Sequence, residues 1–295
     1  MAFQSMKEMI ERAEKLSGDI VSAIVESECK QYGTDKEEVY LRMEEMWNSM
    51  YKAGMEYDEN LYSKSGLVGT DGQKMIHYIQ KEESYSGEFM GNVIAEAIKM
   101  GESNACMKRI VAAPTAGSCG VLPAVLIVSF KKFSFSKKEI VDSLFVAAGI
   151  GQVISERASL AGASGGCQAE IGSAAAMAAG ALVHLKGGSC GQIADAAAIA
   201  LKNMLGLVCD PVAGLVEVPC VKRNVAGAVN AIAAADMALA GIKSVIPVDE
   251  VIDAMREIGD DMPVKYKETA CGGCAVTETA KKIMKKMKDM QKTLI

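Results

Sequence analysis

The chain is poor in aromatic residues and in histidine. Only 5% of its 295 residues are aromatic, and it contains two histidines. A β-sandwich of this length would need more aromatic and β-branched side chains, so the composition argues against that class. Half of the residues are apolar, with 28 Gly and 19 Met among the most frequent types. This mixture favours closely packed helices around a substantial core.

The chain also lacks a strong net charge and an apolar leader. A net charge of −5 gives no general electrostatic reason to bind nucleic acid. Residues 1–16 carry charges throughout, unlike a secretory signal. The most apolar stretches, 171–185 and 225–242, are rich in Ala and Gly and are short or interrupted by Asn230 and Asp236, which favours buried helices over membrane spans. We therefore expect a cytoplasmic protein that binds neither nucleic acid nor membrane.

Helix signals recur along the whole chain, whereas the best strand signal is the short VEVP at 216–219. Four segments have Ser or Thr followed three residues later by Glu or Gln, as in a capping box: Ser5–Glu8, Thr34–Glu37, Ser136–Glu139 and Ser189–Gln192. After Thr34, five apolar residues share one helical face, as in core packing: Val39, Met43, Met46, Trp47 and Met50. Further helices are predicted over 87–100, 122–132, 137–160, 168–186, 190–204, 223–241 and 248–258. The prediction is an all-α fold.

Three parts can be distinguished along the chain. We predict an N-terminal helical segment over 1–60, a single helical catalytic domain over 61–275, and a basic amphipathic tail over 276–295. In the tail, three apolar residues share one face, which indicates a solvated amphipathic helix: Ile283, Met287 and Met290.

Four glycine-rich loops lie between the predicted helices, at 63–74, 113–120, 161–167 and the start of 209–220. Loops on a rigid helical frame are common places for functional sites, and glycine lets a ligand approach the main chain closely. Loop 113–120 precedes a helix start near Pro123, so its free N–H groups could hold a carboxylate. A tight turn between two helices explains the same glycines.

Nine cysteines without a secretory signal indicate reduced thiols, and this number suggests metal binding or redox chemistry. Cys29, Cys106 and Cys190 lie near predicted helix ends and are expected to be structural, while the role of Cys119 is open. Three other cysteines lie in or beside the glycine-rich loops: Cys167, Cys209 and Cys220.

The spacing of these three cysteines does not identify a metal. A zinc site would need a fourth ligand, for which His184, Cys271 and Cys274 are candidates. An iron–sulfur electron carrier would need four thiolates. Three thiolates on a [4Fe–4S] cluster would leave one iron open to act as a Lewis acid.

Four segments resemble one known family. APTAGSCGVLPAVL (113–126), ASGGCQAEIGSAAAMAAGAL (163–182), CDPVAGLVEVPCVKRN (209–224) and MPVKYKETACGGCA (262–275) are similar to the alpha chain of bacterial iron–sulfur-dependent L-serine dehydratase. The resemblance runs from about residue 60 to 275 and is most specific at 209–224.

The resemblance implies a helical catalytic domain in which Cys167, Cys209 and Cys220 hold a [4Fe–4S] cluster. The implied reaction converts L-serine to pyruvate and ammonium without pyridoxal phosphate. Single-chain relatives carry an additional N-terminal α/β domain that this sequence lacks, so we expect a separate beta subunit and a hetero-oligomer. Some relatives end in a cysteine that fills the open iron at rest, and this sequence does not.

The substrate carboxylate is expected at Thr115, Ala116 and Gly117, with Ser65 and Thr70 as further contacts. Lys222 and Arg223 are expected either to stabilise the anionic cluster or substrate, or to form surface ion pairs.

No residue of the chain is assigned as the general base. His184 is expected to be a packed core histidine and His77 an exposed helix residue, so we expect the base on the beta subunit. Cys271 and Cys274 are interpreted as thiols of a mobile loop, with a redox-sensitive pair or a resting-state ligand as alternatives.

Two alternative functions remain open at this point. The same cluster chemistry could act on L-threonine or L-cysteine, or the chain could be a non-catalytic metal-binding subunit.

Overall fold

Helices form most of the chain in the computed structural model, which describes residues 3–82 and 84–293, with side chains up to 289. In order, the α-helices of the described residues are α1 (Met6–Glu14), α2 (Ile20–Tyr32), α3 (Lys36–Met55), α4 (Asp71–Ile79), α5 (Gly87–Ala105), α6 (Val121–Phe133), α7 (Lys137–Arg157), α8 (Gly162–Gly165), α9 (Ser173–Leu185), α10 (Cys190–Lys202), α11 (Cys220–Leu239), α12 (Val248–Asp261) and α13 (Glu278–Thr293). A π-helical turn, Gln168–Gly172, leads directly into α9.

The predicted all-α fold is confirmed. The described chain forms only two isolated β-bridges, Tyr62 with Gly69 and Cys209 with Lys267. The strand signal at 216–219 is wrong because the backbone there is paired within its own loop, with Val212 N–H donating to the Val218 carbonyl at 2.8 Å.

Three of the four predicted caps begin helices where expected. Ser136 and Ser189 form full capping boxes, and the Ser5 side chain accepts from Glu8 N–H. The prediction at Thr34 is wrong by one residue, because Asp35 is the N-cap and its carboxylate accepts from Glu38 N–H.

Two predicted helix boundaries differ in ways that affect the loops. The predicted helix 168–186 begins with the π-helical turn rather than a regular helix. The predicted helix 223–241 begins three residues earlier, at Cys220. That shift places Cys220 on the first turn of α11 rather than in a free loop.

The core is centred on α9, in which every residue except His184 is buried. Helices α6, α7, α10 and α11 surround it. Because Ala and Gly dominate α9, the neighbouring helix axes can approach closely, as expected from the composition. Trp47 and Met50 from the N-terminal part join the same core, whereas Met46 is exposed. The domain boundaries at residues 60 and 275 stay predictions.

Among the described residues, one helical stretch, Ala116–Phe133, is long and apolar enough to cross a membrane, and 67% of it is buried inside the fold. A core helix of a soluble protein has the same character, so this stretch is weak support for a membrane span. In the tail, Ile283 and Met287 are partly buried on α13, and the Met290 side chain lies outside the described residues.

Candidate metal centre

Cys167 and Cys209 lie together in the interior, although 42 positions separate them in sequence. Cys167 immediately precedes the π-helical turn, and Cys209 begins the loop that ends at Cys220. The ligand atoms of Cys167, Glu170 and Cys209 all lie within 4.8 Å of one another. The fold therefore brings two soft ligands to one place away from bulk solvent. Cys220 is also buried, but its sulfur is not one of the atoms in this group.

Cys167 and Cys209 influence each other electrostatically, and the charge of Cys167 also acts on Cys220. A hydrogen bond from the Cys209 thiol lowers the pKa of Cys167, and the positive charge of Arg223 adds to this. The same contact with Cys167 raises the pKa of Cys209. Burial raises the pKa of Cys220 to about 12, with the charge of Cys167 contributing. Cys167 is therefore the thiol of this group that most readily becomes a thiolate.

Glu170 completes the group and was not identified from the sequence. Its Oε1 accepts a hydrogen bond from Thr115 Oγ1 at 2.7 Å. A Cβ at Gly117 would lie 3.1 Å from Glu170 Oε1, and one at Gly162 would lie 2.8 Å from Oε2, so both glycines admit the carboxylate closely. Burial raises the pKa of Glu170, and the hydrogen bond from Thr115 partly offsets this. The sequence signal for Glu170 was its position three residues after Cys167, because residues three positions apart are neighbours on a helix surface.

Arg223 and Lys222 point to different environments. Arg223 Nη2 lies 2.8 Å from Asp210 Oδ1, and its Nη1 donates to the Val208 carbonyl at 2.8 Å. Burial alone would lower the pKa of Arg223, but the charges of Cys167 and Asp210 raise it. Lys222 is exposed and donates to Asp71 Oδ2 at 2.6 Å. Each of the two expected roles therefore has a counterpart: Arg223 faces the cysteines, and Lys222 forms a surface ion pair.

Asn224 connects the predicted substrate loop, 113–120, to the end of loop 209–220, which is called the cysteine loop below. Its Oδ1 accepts from Gly120 N–H at 2.8 Å, while its Nδ2 donates to the carbonyls of Gly117 and Cys220 at 2.9 and 3.0 Å. Asn224 is buried, so these bonds satisfy all of its polar groups with protein partners where water has little access. Loop 113–120 is thereby fixed against the start of α11.

The first glycine-rich loop is held by two buried carboxylates. Glu102 accepts from three backbone N–H groups, of Gly69, Asp71 and Gly72, at 3.1, 2.9 and 3.2 Å. Glu217, which belongs to the cysteine loop, accepts from Ser63 Oγ at 2.9 Å and from Ser65 Oγ.

Of the two residues predicted in this loop, Ser65 is therefore joined to the cysteine loop through Glu217. Thr70 is the N-cap of α4 and lies 3.4 Å, between hydroxyl oxygens, from Tyr62. The structure brings Thr115 directly to the cysteine group and places Ser65 and Thr70 in a neighbouring loop.

The segment 264–276 covers the cysteine loop. Cys209 N–H donates to the Tyr266 carbonyl at 2.8 Å, and Glu268 N–H donates to the Cys209 carbonyl at 3.1 Å. Cys274 N–H donates to Asp210 Oδ2 at 2.7 Å, and the hydrogen bond from its thiol to Asp210 raises the pKa of Cys274. The Cys271 thiol donates to the Thr269 carbonyl at 3.2 Å. Both cysteines are exposed and neither joins the Cys167 group.

The two histidines lie outside the cysteine group. His184 is partly buried near the end of α9, and burial lowers its pKa. His77 is exposed on α4, with its Nε2 3.0 Å from Gln73 Nε2. His77 is exposed, as predicted, whereas His184 is only partly buried and is not the fully packed core histidine that was expected.

Comparisons with known proteins identify the family of the chain. The family described as "Serine dehydratase alpha chain" matches residues 14–275. The chain is 46% identical over 285 residues to a "Probable L-serine dehydratase, alpha chain" of Bacillus subtilis, covering 97% of this chain and 95% of that protein. It is 40% identical over 278 residues to the "L-serine dehydratase, alpha chain" of Peptoniphilus asaccharolyticus, covering 94% and 95% respectively. An "L-serine dehydratase" of Streptomyces coelicolor is 48% identical over 182 residues, which are 61% of this chain and 40% of that longer protein. The chain belongs to the serine dehydratase alpha chain family.

Proposed function

We propose that this chain is the alpha subunit of an L-serine dehydratase, which converts L-serine to pyruvate and ammonium together with a separate beta subunit. Membership of the family supports the reaction, because relatives matched over nearly their whole length carry this name. The observation that carries the proposal is that Cys167 and Cys209 lie close together in the interior. Beside them, loop 113–120 already binds a carboxylate, that of Glu170.

The donor set fits an iron–sulfur cluster. We propose that Cys167, Cys209 and Cys220 hold a [4Fe–4S] cluster, because thiolates are the preferred ligands of iron–sulfur centres. Arg223 lies close enough to Cys167 for the two charges to shift each other's pKa, and so offsets the negative charge of the thiolates. When bound, the cluster would supply a Lewis acid that helps the substrate hydroxyl to leave.

The protein's own contribution is to bind and orient the amino acid. We propose that Thr115, Ala116 and Gly117 receive the substrate carboxylate. Thr115 Oγ1 is a suitable donor because it binds the Glu170 carboxylate in this structure. Asn224 holds the same loop rigidly, and a rigid loop lowers the entropic cost of positioning the substrate. Loop 63–74, with Ser65 and Thr70, would form the facing wall, held by Glu217 and Glu102.

Dehydration also requires a base that removes the α-proton. We propose that the beta subunit supplies it, since His184 and His77 lie outside the cysteine group. Pyridoxal phosphate would not be needed, because the metal would activate the leaving group.

The test is pyruvate release from L-serine by the anaerobically purified alpha chain, alone and with the beta chain, before and after exposure to air. We expect activity that requires both chains and is lost in air. Full activity from the alpha chain alone would place the base on this chain. Parallel assays with L-threonine and L-cysteine test the substrate, and a chain that binds metal but turns over none of the three would be a non-catalytic subunit.

A further inference from the structure

Glu170 occupies the place that loop 113–120 was predicted to offer to the substrate carboxylate. We propose that Glu170 is the exchangeable fourth ligand of the resting cluster, and that the substrate carboxylate displaces it. This inference rests on the proposed function, because it requires the three-cysteine cluster.

Glu170 lies close to both Cys167 and Cys209. One of its carboxylate oxygens lies within 4.8 Å of the sulfur atoms of both Cys167 and Cys209. Glu170 lies in the π-helical turn that follows Cys167, and such turns are frequent at functional sites. A carboxylate at this point shares the metal site with the thiolates.

The contacts around Glu170 hold its carboxylate towards the cysteines. Thr115 donates to Oε1, while Gly162 leaves no room for a side chain between Oε2 and Cys209: a Cβ there would lie 2.8 Å from Oε2 and 3.2 Å from Cys209 Sγ. None of the ion pairs within 4.0 Å among the described residues includes Glu170, so a metal can supply the compensating positive charge.

The other candidates for a fourth ligand are directed elsewhere. The Cys274 thiol donates to Asp210, and the Cys271 thiol donates to the Thr269 carbonyl. His184 lies near Asp19 and Asp142, at the far end of α9.

The substrate carboxylate would replace Glu170 by ligand exchange. A carboxylate oxygen is a harder donor than a thiolate and binds a thiolate-rich iron site less strongly. The bond from Glu170 oxygen to iron would break as the bond from the substrate carboxylate oxygen forms. Each donor is a carboxylate oxygen of a group with one negative charge, so the exchange does not change the charge of the donor bound to the iron. Thr115 could then donate to the incoming carboxylate instead of to Glu170.

The experiment measures how fast the open iron is lost. The full-length chain is loaded with its cluster anaerobically and mildly oxidised, and the three-iron form is followed by its electron paramagnetic resonance signal. The variants are Glu170→Gln, which keeps the side-chain volume, and Thr115→Val, which removes the donor to Glu170. The matched control is the double variant Cys271→Ser/Cys274→Ser. Each sample is measured with and without L-serine.

We expect Glu170→Gln to release this iron about tenfold faster or more, as for loss of a group that supports a metal. Thr115→Val should accelerate release to a smaller extent, and the cysteine control should match the wild type. Saturating L-serine should remove the difference between the wild type and Glu170→Gln.

Unchanged release in Glu170→Gln and Thr115→Val would overturn the inference, as would acceleration in the cysteine control alone. Loss of activity in Glu170→Gln with unchanged iron release would also overturn it and would assign the carboxylate to substrate chemistry. If Glu170→Gln holds no cluster, the rate of iron release from Thr115→Val tests the inference instead. Faster release than in the wild type supports it, and unchanged release overturns it. A wild-type chain that binds no cluster would instead contradict the proposed function, so the two failures are distinguishable.

Discussion

Arg223 and Asp210 form an inward-facing ion pair that ties together the two ends of the cysteine loop. Their Nη2 and Oδ1 atoms are 2.8 Å apart, and the side chains are only 16% and 3% exposed. Asp210 follows Cys209 directly, and Arg223 lies one helical turn after Cys220. The pair therefore links the two segments that carry these thiols.

Removal of Arg223 alone should destabilise the chain strongly. Arg223→Met leaves the Asp210 carboxylate buried without its cation, which typically costs about 3–5 kcal/mol. Anaerobic urea unfolding of the metal-free chain measures this loss. The double variant Asp210→Asn/Arg223→Met should recover a large part of the stability, and equal losses in the single and double variants would contradict the ion-pair account.

Gly162 should be essential for metal loading because of the space it leaves. In Gly162→Ala, the new Cβ would lie 2.8 Å from Glu170 Oε2 and 3.2 Å from Cys209 Sγ, so one of the two side chains must move. We expect less iron per chain after anaerobic reconstitution. The matched control is Gly191→Ala, whose Cβ would meet only Ser189 Oγ at 3.8 Å. Normal iron content in Gly162→Ala would argue against a metal site at this point.

Glu217 should control the order of loop 63–74. In Glu217→Ala the hydroxyls of Ser63 and Ser65 lose their common acceptor, and a hydrogen bond to a charged group contributes roughly 1.5–3 kcal/mol. Backbone amides of 63–70 should exchange hydrogen faster, and the KM for L-serine should rise. Glu217→Gln keeps an acceptor and should give a smaller effect. If exchange in this loop is unchanged in Glu217→Ala, the carboxylate does not hold it.

Much of the helical frame could be predicted because its signals are local. Ser136 and Ser189 begin helices as their capping boxes predict. At Thr34 the neighbouring Asp35 offers a competing cap, and local pattern alone does not decide between the two. The π-helical turn after Cys167 has the same apolar spacing as a regular helix, so its geometry could not be read from periodicity.

The candidate site was only partly predictable, for a similar reason. The cysteines stood out by residue type, and the resemblance specified which three to consider. Glu170 did not stand out, because a glutamate at a helix start usually faces solvent. Its partial burial depends on loop 113–120, whose Thr115 is 55 positions away in sequence. Contacts at such separation follow from tertiary packing and not from local pattern.

Acid should destabilise the chain through His184. Burial lowers its pKa in the folded protein below the ordinary value of 6.5, so the unfolded chain binds more protons as the pH falls. The stability contribution of the neutral side chain is thus complete above that value and is lost as the pH falls below it. His184→Gln should therefore lose less unfolding free energy than the wild type between pH 7.5 and pH 5.5. Taking the difference between the two proteins cancels their shared carboxylates, and an identical pH dependence would contradict the burial effect.

The most direct test of the account is the iron and acid-labile sulfide bound per chain after anaerobic purification with the beta subunit. The wild type and Cys29→Ser, altered at a partly buried thiol on α2, should each hold about four of both, as in a [4Fe–4S] cluster. Cys167→Ser, Cys209→Ser and Cys220→Ser should each lose the cluster and, with it, pyruvate formation from L-serine. Full iron and sulfide in any of these three variants, or a wild type that holds zinc without sulfide, would contradict the central claim.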